Sequence, residues 1–197
     1  MTSDLIVGED GLARCGWGAT PDIYRNYHDA EWGRRVTGDN ALFERLSLEA
    51  FQSGLSWLTI LRKRESFRAA FAGFDIGAVA AFDESDVSRL LADAAIVRNR
   101  AKILATIANA RIAAAMPESL SDLLWSFAPP ARRRPVDFSA VPATTAESTA
   151  LAKRLKGLGF RFVGPTTAYA MMQATGMVDD HLAGCHVAVQ DLKGTPQ

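Results

Sequence analysis

An all-α fold is predicted by three features of the sequence. Ala, Leu, Arg and Glu recur at three-to-four spacing through most of its length, period-two alternation is nearly absent, and proline and glycine fall where helices would begin and end.

Taken in order, Thr20 and Pro21 open a first helix as N-cap and first position, and Gly33 lies just past its end. Tyr24, Tyr27 and His28 then share a face of that helix. Asp39 caps a second helix with the stripe Leu42, Phe43, Leu46, Ala50 and Ser53, and beyond Gly54 a further apolar segment runs from Trp57 to Leu61. Helices are expected at 85–91, 98–115, 119–127 and 146–155. Pro129, Pro130 and Pro135, with three arginines among them, mark a long exposed loop. Residues 1–10 and 191–197 read as frayed ends.

The stretch 151–176 carries the most backbone information. A helix runs into Gly157, a tight connection spans Gly159 to Gly164, and Pro165 restarts a helix that Gly176 ends. Glycines at both ends of such a turn expose N–H groups beside a helix N-terminus, where a phosphate oxygen can bind. An ordinary helical hairpin has the same outline.

The chain of 197 residues is sized for one domain spanning 1–197. It opens with no basic start followed by an apolar run, and no apolar stretch approaches the length of a membrane span, so a cytoplasmic protein with no membrane partner is expected. Lys+Arg and Asp+Glu both number 22, so bulk charge does not point to nucleic acid. Basic residues do bunch, at Arg62-Lys63-Arg64, from Arg98 to Lys102, at Arg132-Arg133-Arg134 and at Lys153-Arg154 with Lys156. Short runs of this kind usually mark solvated helix faces.

Cys15 and Cys185 are the only cysteines, near opposite ends of the chain, and can form a disulfide, stay reduced or meet at a metal. Cys15 with His28 and His181 with Cys185 supply two sulfurs and two imidazoles, a set that suits tetrahedral zinc, with His186 an adjacent competitor for His181. Four protein ligands close the shell, so such a zinc would tie the chain ends together and leave no place for an activated water.

Glu49 lies at the margin of the second helix's apolar stripe, where a carboxylate needs a partner. An arginine would make it a structural ion pair; a pocket would make it a hydrogen-bond acceptor for a ligand. Trp17, Tyr24, Tyr27, Trp32 and Trp57 cluster along the same segments. Aromatic faces plus one carboxylate suit a flat cationic ligand, although aromatics at helical spacing more often build core.

Five motifs in one order carry a family resemblance: Arg14-Cys-Gly-Trp17, Tyr27-His-Asp-Ala-Glu-Trp-Gly33, Leu48-Glu-Ala-Phe-Gln-Ser-Gly-Leu-Ser-Trp57, Gly159-Phe-Arg-Phe-Val-Gly164 and Asp180-His181. Together the stretch from Arg14 to Cys185 resembles the bacterial 3-methyladenine DNA glycosylase I family. The resemblance implies the helix-hairpin-helix glycosylase fold. It divides the chain into a helical lobe at about 35–176 and a lobe at about 14–34 plus 177–190, the latter holding one structural zinc on Cys15, His28, His181 and Cys185. The implied partner is alkylated double-stranded DNA, and a monomer is the expected form.

The resemblance further implies that the enzyme extrudes the lesion and hydrolyses its N-glycosidic bond, releasing the free base and leaving an abasic site. Glu49 would be the catalytic carboxylate, accepting hydrogen bonds from the adenine edge. Tyr27 and Trp57 would stack on the base or line its pocket, and Tyr24 and Trp32 would help shape it. Gly159, Phe160, Phe162 and Gly164 would form the DNA-binding hairpin, through main-chain N–H groups on phosphate. Relatives that also cut the backbone carry a lysine just after the hairpin, where this chain has Thr166, so no Schiff base is implied. Asp179 stands where superfamily members carry a general base, but a helix-capping or ligand-orienting role is the expectation for it here. Two other readings compete: a zinc-stapled module that binds damaged DNA without excising a base, and a metal-dependent hydrolase, which would need an open zinc site.

Overall fold

The computed structural model describes residues 4–188. Residues 1–3 and 191–197, read from sequence as parts of frayed ends, lie outside them. Among the described residues are nine α-helices and one two-stranded ribbon, so the helical class holds. The chain divides into two compact units, one of 1–36, 128–143 and 172–197, the other of 37–127 and 144–171. The segment 128–143, placed by sequence inside the helical lobe, therefore groups with the chain ends.

The first unit begins with strands β1 (Leu5–Val7) and β2 (Ala13–Cys15), paired antiparallel with Leu5 opposite Cys15. Strands of three residues are too short to show alternation, so the pattern missed them, and β1 lies in the stretch expected to fray. Helix α1 (Asp22–Ala30) follows, with Pro21 at the cap rather than at the first helical position. Gly33 takes a left-handed φ of 74° just beyond it, the conformation glycine adopts without a Cβ penalty. The expected exposed loop is more tied down than its prolines suggest. Arg132 Nη2 meets Asp180 Oδ1 at 2.6 Å and Arg134 Nε meets Asp179 Oδ2 at 2.8 Å. Pro135 is buried and its carbonyl accepts the Ala183 N–H.

The second unit is built on α2 (Asp39–Gln52), α3 (Trp57–Ala70), α4 (Ile76–Ala80), α5 (Glu84–Ala92), α6 (Arg100–Ala115), α7 (Leu120–Trp125) and α8 (Ala146–Gly157), and contains the start of α9 (Pro165–Ala174). Leu42, Phe43, Leu46 and Ala50 are buried along α2 as predicted, whereas Ser53 falls past its end and is exposed. Asp39 is the first residue of α2, not its cap; its Oδ1 accepts the Ser121 N–H at the start of α7. The apolar segment at Trp57 extends to Ala70 because Phe67 and Ala70 continue the buried face of Ile60 and Leu61. Exposed or part-buried Arg62, Lys63 and Arg64 lie between, a solvated helix face. Helix α4 escaped prediction because five residues containing Gly77 show no period; Asp75 caps it through the Ala78 N–H. Phe51, Phe67, Phe71 and Phe74 form an aromatic column in this core, with Phe51 and Phe67 centroids 4.7 Å apart. Burying four such rings away from water contributes on the order of 2–3 kcal/mol each.

Candidate metal centre and buried carboxylate

The first unit brings Cys15, His28, His181 and Cys185 together, all buried, with one ligand atom from each within 4.8 Å of the others. Cys15 comes from the end of β2, His28 from the buried face of α1, and the other two from the turn after α9. Cys185 Sγ lies 3.5 Å from His28 Nε2 and 3.6 Å from His181 Nδ1, and Cys15 Sγ lies 3.9 Å from His181 Nδ1. A tetrahedral ion with bonds of about 2.0–2.3 Å spaces its ligands by roughly 3.3–3.8 Å, so these separations suit one. The cysteines form no disulfide.

The outer nitrogens of both imidazoles are already engaged. His28 Nδ1 is 2.7 Å from Asp29 Oδ1, and His181 Nε2 is 3.1 Å from the Trp32 carbonyl oxygen. Protons on those outer nitrogens leave the lone pairs of His28 Nε2 and His181 Nδ1 facing the sulfurs, as ligation requires. Burial pushes the Asp29 carboxyl up, but hydrogen bonds from Arg14, His28 and His186 outweigh it and hold it at about 2. His186 thus bonds Asp29, at 3.0 Å, and stands outside the four-residue group. Between the sulfurs, the hydrogen bond with Cys15 holds the Cys185 thiol well below its usual range and raises that of Cys15, with His181 and His28 adding to the depression. A buried thiolate beside two imidazoles is a metal-ligand environment. The four residues can hold a metal ion.

Tyr24, Tyr27 and Trp32 belong to the same unit and gather around Trp17. Its ring lies 5.8 Å from Tyr24, 6.4 Å from Tyr27, 4.9 Å from Trp32 and 5.3 Å from His28. Gly18 is a requirement of this packing, since a Cβ there would stand 2.5 Å from the His28 ring.

Glu49 and Trp57 belong to the helical unit. Glu49 is 6% exposed on α2 and makes no hydrogen bond or ion pair among the described residues. Burial pushes its carboxyl up to about 8, with Arg45 pulling weakly the other way. The arginine bridge open from sequence is therefore not made. Trp57 is the first residue of α3, behind an N-cap Ser56 whose hydroxyl accepts the Thr59 N–H.

Helix α8, a turn and helix α9 form the predicted helix, hairpin, helix element. Gly159 has φ +98° and Phe162 φ +57°, and Phe160 and Val163 are buried while Arg161 and Phe162 are exposed. Phe160 thus anchors the turn. Asp179 accepts the His181 N–H on one oxygen and Arg134 on the other. Asp29 and Asn109 were given no role from sequence, and Arg134 and Lys102 were named there only within basic runs; Asp29, adjacent to a candidate ligand histidine, carried the clearer signal.

Fold and sites set the class first: a mostly helical protein with the architecture of solved DNA glycosylases. The methyladenine glycosylase family matches residues 17–188, and the chain belongs to that family. It is 47% identical over 179 residues to DNA-3-methyladenine glycosylase 1 of Escherichia coli (strain K12), covering 88% of this chain and 96% of the relative. A crystal structure of 3-methyladenine DNA glycosylase I matches with a TM-score of 0.85 at 47% identity, over 88% of this chain and 98% of that one. A structure addressing 3-methyladenine recognition by the Staphylococcus aureus enzyme matches with a TM-score of 0.85 at 35% identity, over 90% and 97%.

Proposed function

We propose that this chain is a DNA-3-methyladenine glycosylase that hydrolyses the N-glycosidic bond of 3-methyladenine in alkylated DNA and stops at an abasic site. Family membership and the names of its relatives support this reading. The observation that carries it is Glu49, a buried carboxylate with no hydrogen-bond or ion-pair partner among the described residues, inside the family-matched segment. No helix among the described residues is long and apolar enough to cross a membrane.

Adenine methylated at N3 in DNA is cationic, so its glycosidic bond is weak and the base leaves with the bonding electron pair. Water adds to the sugar carbon and gives its proton to solvent. The residues mainly select and hold the extruded base. Glu49 accepts hydrogen bonds from the adenine edge, and a cationic base lowers the carboxyl's pKa, so binding drives ionisation where the pair is strongest. Tyr27 and Trp57 stack on the base, and Tyr24 and Trp32 shape its site. Unmodified adenine lacks the charge these groups favour. The hairpin of Gly159, Phe160, Phe162 and Gly164 holds one strand by main-chain N–H bonds to phosphate. Thr166 offers no amine for a Schiff base, which supports base removal without strand cleavage.

The metal is one zinc ion on Cys15, His28, His181 and Cys185, in a closed shell whose role is to tie the chain ends. The test is base release from randomly methylated duplex DNA by the wild type and Glu49→Ala. Release of 3-methyladenine by the wild type, lost or greatly weakened in the variant, is expected. DNA binding without any base release would leave a non-catalytic binding module instead.

A further inference from the structure

We infer that Lys102 and Asn109, two buried polar side chains on α6, are positioning residues that hold the turn between Glu49 and Trp57 and the α8–α9 hairpin, each by its main chain. Neither touches substrate in this scheme; each fixes a segment that does. They stand seven residues apart, which puts them on one helix face about 10 Å apart along the axis. Lys102 is 6% exposed and Asn109 2%, positions where an apolar side chain would be the default. Thr106, between them, satisfies itself on the Lys102 carbonyl.

Lys102 Nζ donates to the carbonyls of Phe51 at 2.7 Å and Ser53 at 2.6 Å. Those oxygens lie where α2 ends, where carbonyls lack intrahelical partners and the helix dipole favours a cation. The turn beyond is tight, with Gly54 at φ +80° and the Leu55 N–H bonded to the Gln52 carbonyl at 2.6 Å. It joins Glu49, just before the clamp, to Trp57 just after it. A lysine that grips both carbonyls therefore sets the direction in which α3 leaves α2.

Asn109 makes a two-point contact with a single hairpin residue. Its Nδ2 donates to the Arg161 carbonyl at 3.1 Å and its Oδ1 accepts the Arg161 N–H at 2.8 Å. A carboxamide is suited to this, offering a donor and an acceptor without charge. Arg161 lies between Gly159 and Phe162, both at left-handed φ. For phenylalanine that conformation costs on the order of 1–2 kcal/mol, so something must hold it. Helix α6 also presses on the turn through Ile112, whose Cδ1 is 3.2 Å from where a Cβ on Gly159 would stand.

The effect on catalysis rests on the glycosylase reading; the clamps themselves do not. Lys102→Met and Asn109→Ala are compared with the wild type by hydrogen exchange, by binding to an undamaged duplex, and by single-turnover release of 3-methyladenine at saturating enzyme. Asn109→Ala is expected to speed exchange at 159–164 and weaken duplex binding by about tenfold while single-turnover release holds within about twofold. Lys102→Met is expected to speed exchange at 51–57 and slow release about tenfold with duplex binding little changed, and Lys102→Arg to recover most of that loss. Both variants losing both functions in step with melting temperature, or neither changing exchange at its own segment, would overturn the inference. Segment-specific exchange and duplex-binding effects, with no base released by the wild type, would uphold the clamps and sink the glycosylase reading alone.

Discussion

His28 and Asp29 are neighbours in sequence and bonded to each other in space: Nδ1 of the histidine is 2.7 Å from Oδ1 of the aspartate, which turns Nε2 toward the Cys185 sulfur at 3.5 Å. The same carboxylate receives Arg14 and His186. It therefore fixes the orientation of one of the four candidate metal-binding residues and ties it to two other side chains.

On the proposed zinc reading, Asp29→Asn should lower zinc affinity by roughly 10–100-fold, because a neutral amide with one acceptor oxygen replaces the charged carboxylate that serves His28, His186 and Arg14 together. Competition with a graded series of chelators measures this. On the same reading, a chelator that strips the zinc should lower the wild type's melting temperature by about 10 °C or more, given that several kcal/mol of binding energy would be withdrawn. An unchanged affinity in the variant would mean that Asp29 does not act through His28.

Glu49 gives a pH prediction with a definite sign. Its folded pKa of about 8 lies above the ordinary 4.5, so the stability linked to its protonated form is complete below pH 4.5 and is lost as pH rises through 8. Glu49→Gln carries no such charge. Its stability relative to the wild type should increase across that window, by up to about 5 kcal/mol at the rate of about 1.4 kcal/mol per unit. Denaturant unfolding of both proteins at several pH values reads this out. For the reaction, kcat/KM of the wild type should rise with pH toward a plateau above about pH 8, because it reports the free enzyme's ionised carboxylate, and the variant should lose both rate and slope.

Gly176 is irreplaceable for a packing reason. It has φ +74°, and a Cβ there would lie 2.7 Å from both Gly33 O and Arg34 C, which are main-chain atoms that cannot rotate away. Gly176→Ala should cost about 3 kcal/mol or more, lowering the melting temperature by roughly 6–12 °C. Gly157, at the end of α8, has nothing within 4 Å of its Cβ position and no left-handed φ. Gly157→Ala is the control and should be neutral or slightly stabilising in the same thermal scan.

The long helices were legible because their buried faces repeat at helical spacing, as in Leu42, Phe43, Leu46 and Ala50 on α2. The ribbon of β1 and β2 and the short α4 were not, since three- and five-residue elements carry no period. Cys15, His28, His181 and Cys185 could be nominated by residue type, but their convergence is a property of the fold. Asn109 was invisible for the opposite reason. Its partners are main-chain atoms of Arg161, and a main-chain partner leaves no mark on residue type.

Asp179 provides the sharpest test of whether a base is needed for this reaction. Its two oxygens are both taken within its own unit: Oδ1 by the His181 N–H at 3.2 Å, Oδ2 by Arg134 Nε at 2.8 Å. Arg134 in turn donates to the Val187 carbonyl, so the carboxylate braces the segment that carries His181 and Cys185. A base must accept a proton from a water placed beside it, and both Asp179 oxygens already accept hydrogen bonds from protein donors, one a main-chain N–H and the other a guanidinium. The cationic leaving group lowers the demand for such help. Asp179→Asn should therefore keep its single-turnover rate within about twofold while losing melting temperature or zinc affinity, since the amide cannot accept from both donors as a carboxylate does. A rate lower by about a hundredfold with melting temperature and zinc content intact would be the mark of general-base catalysis and would reverse the assignment.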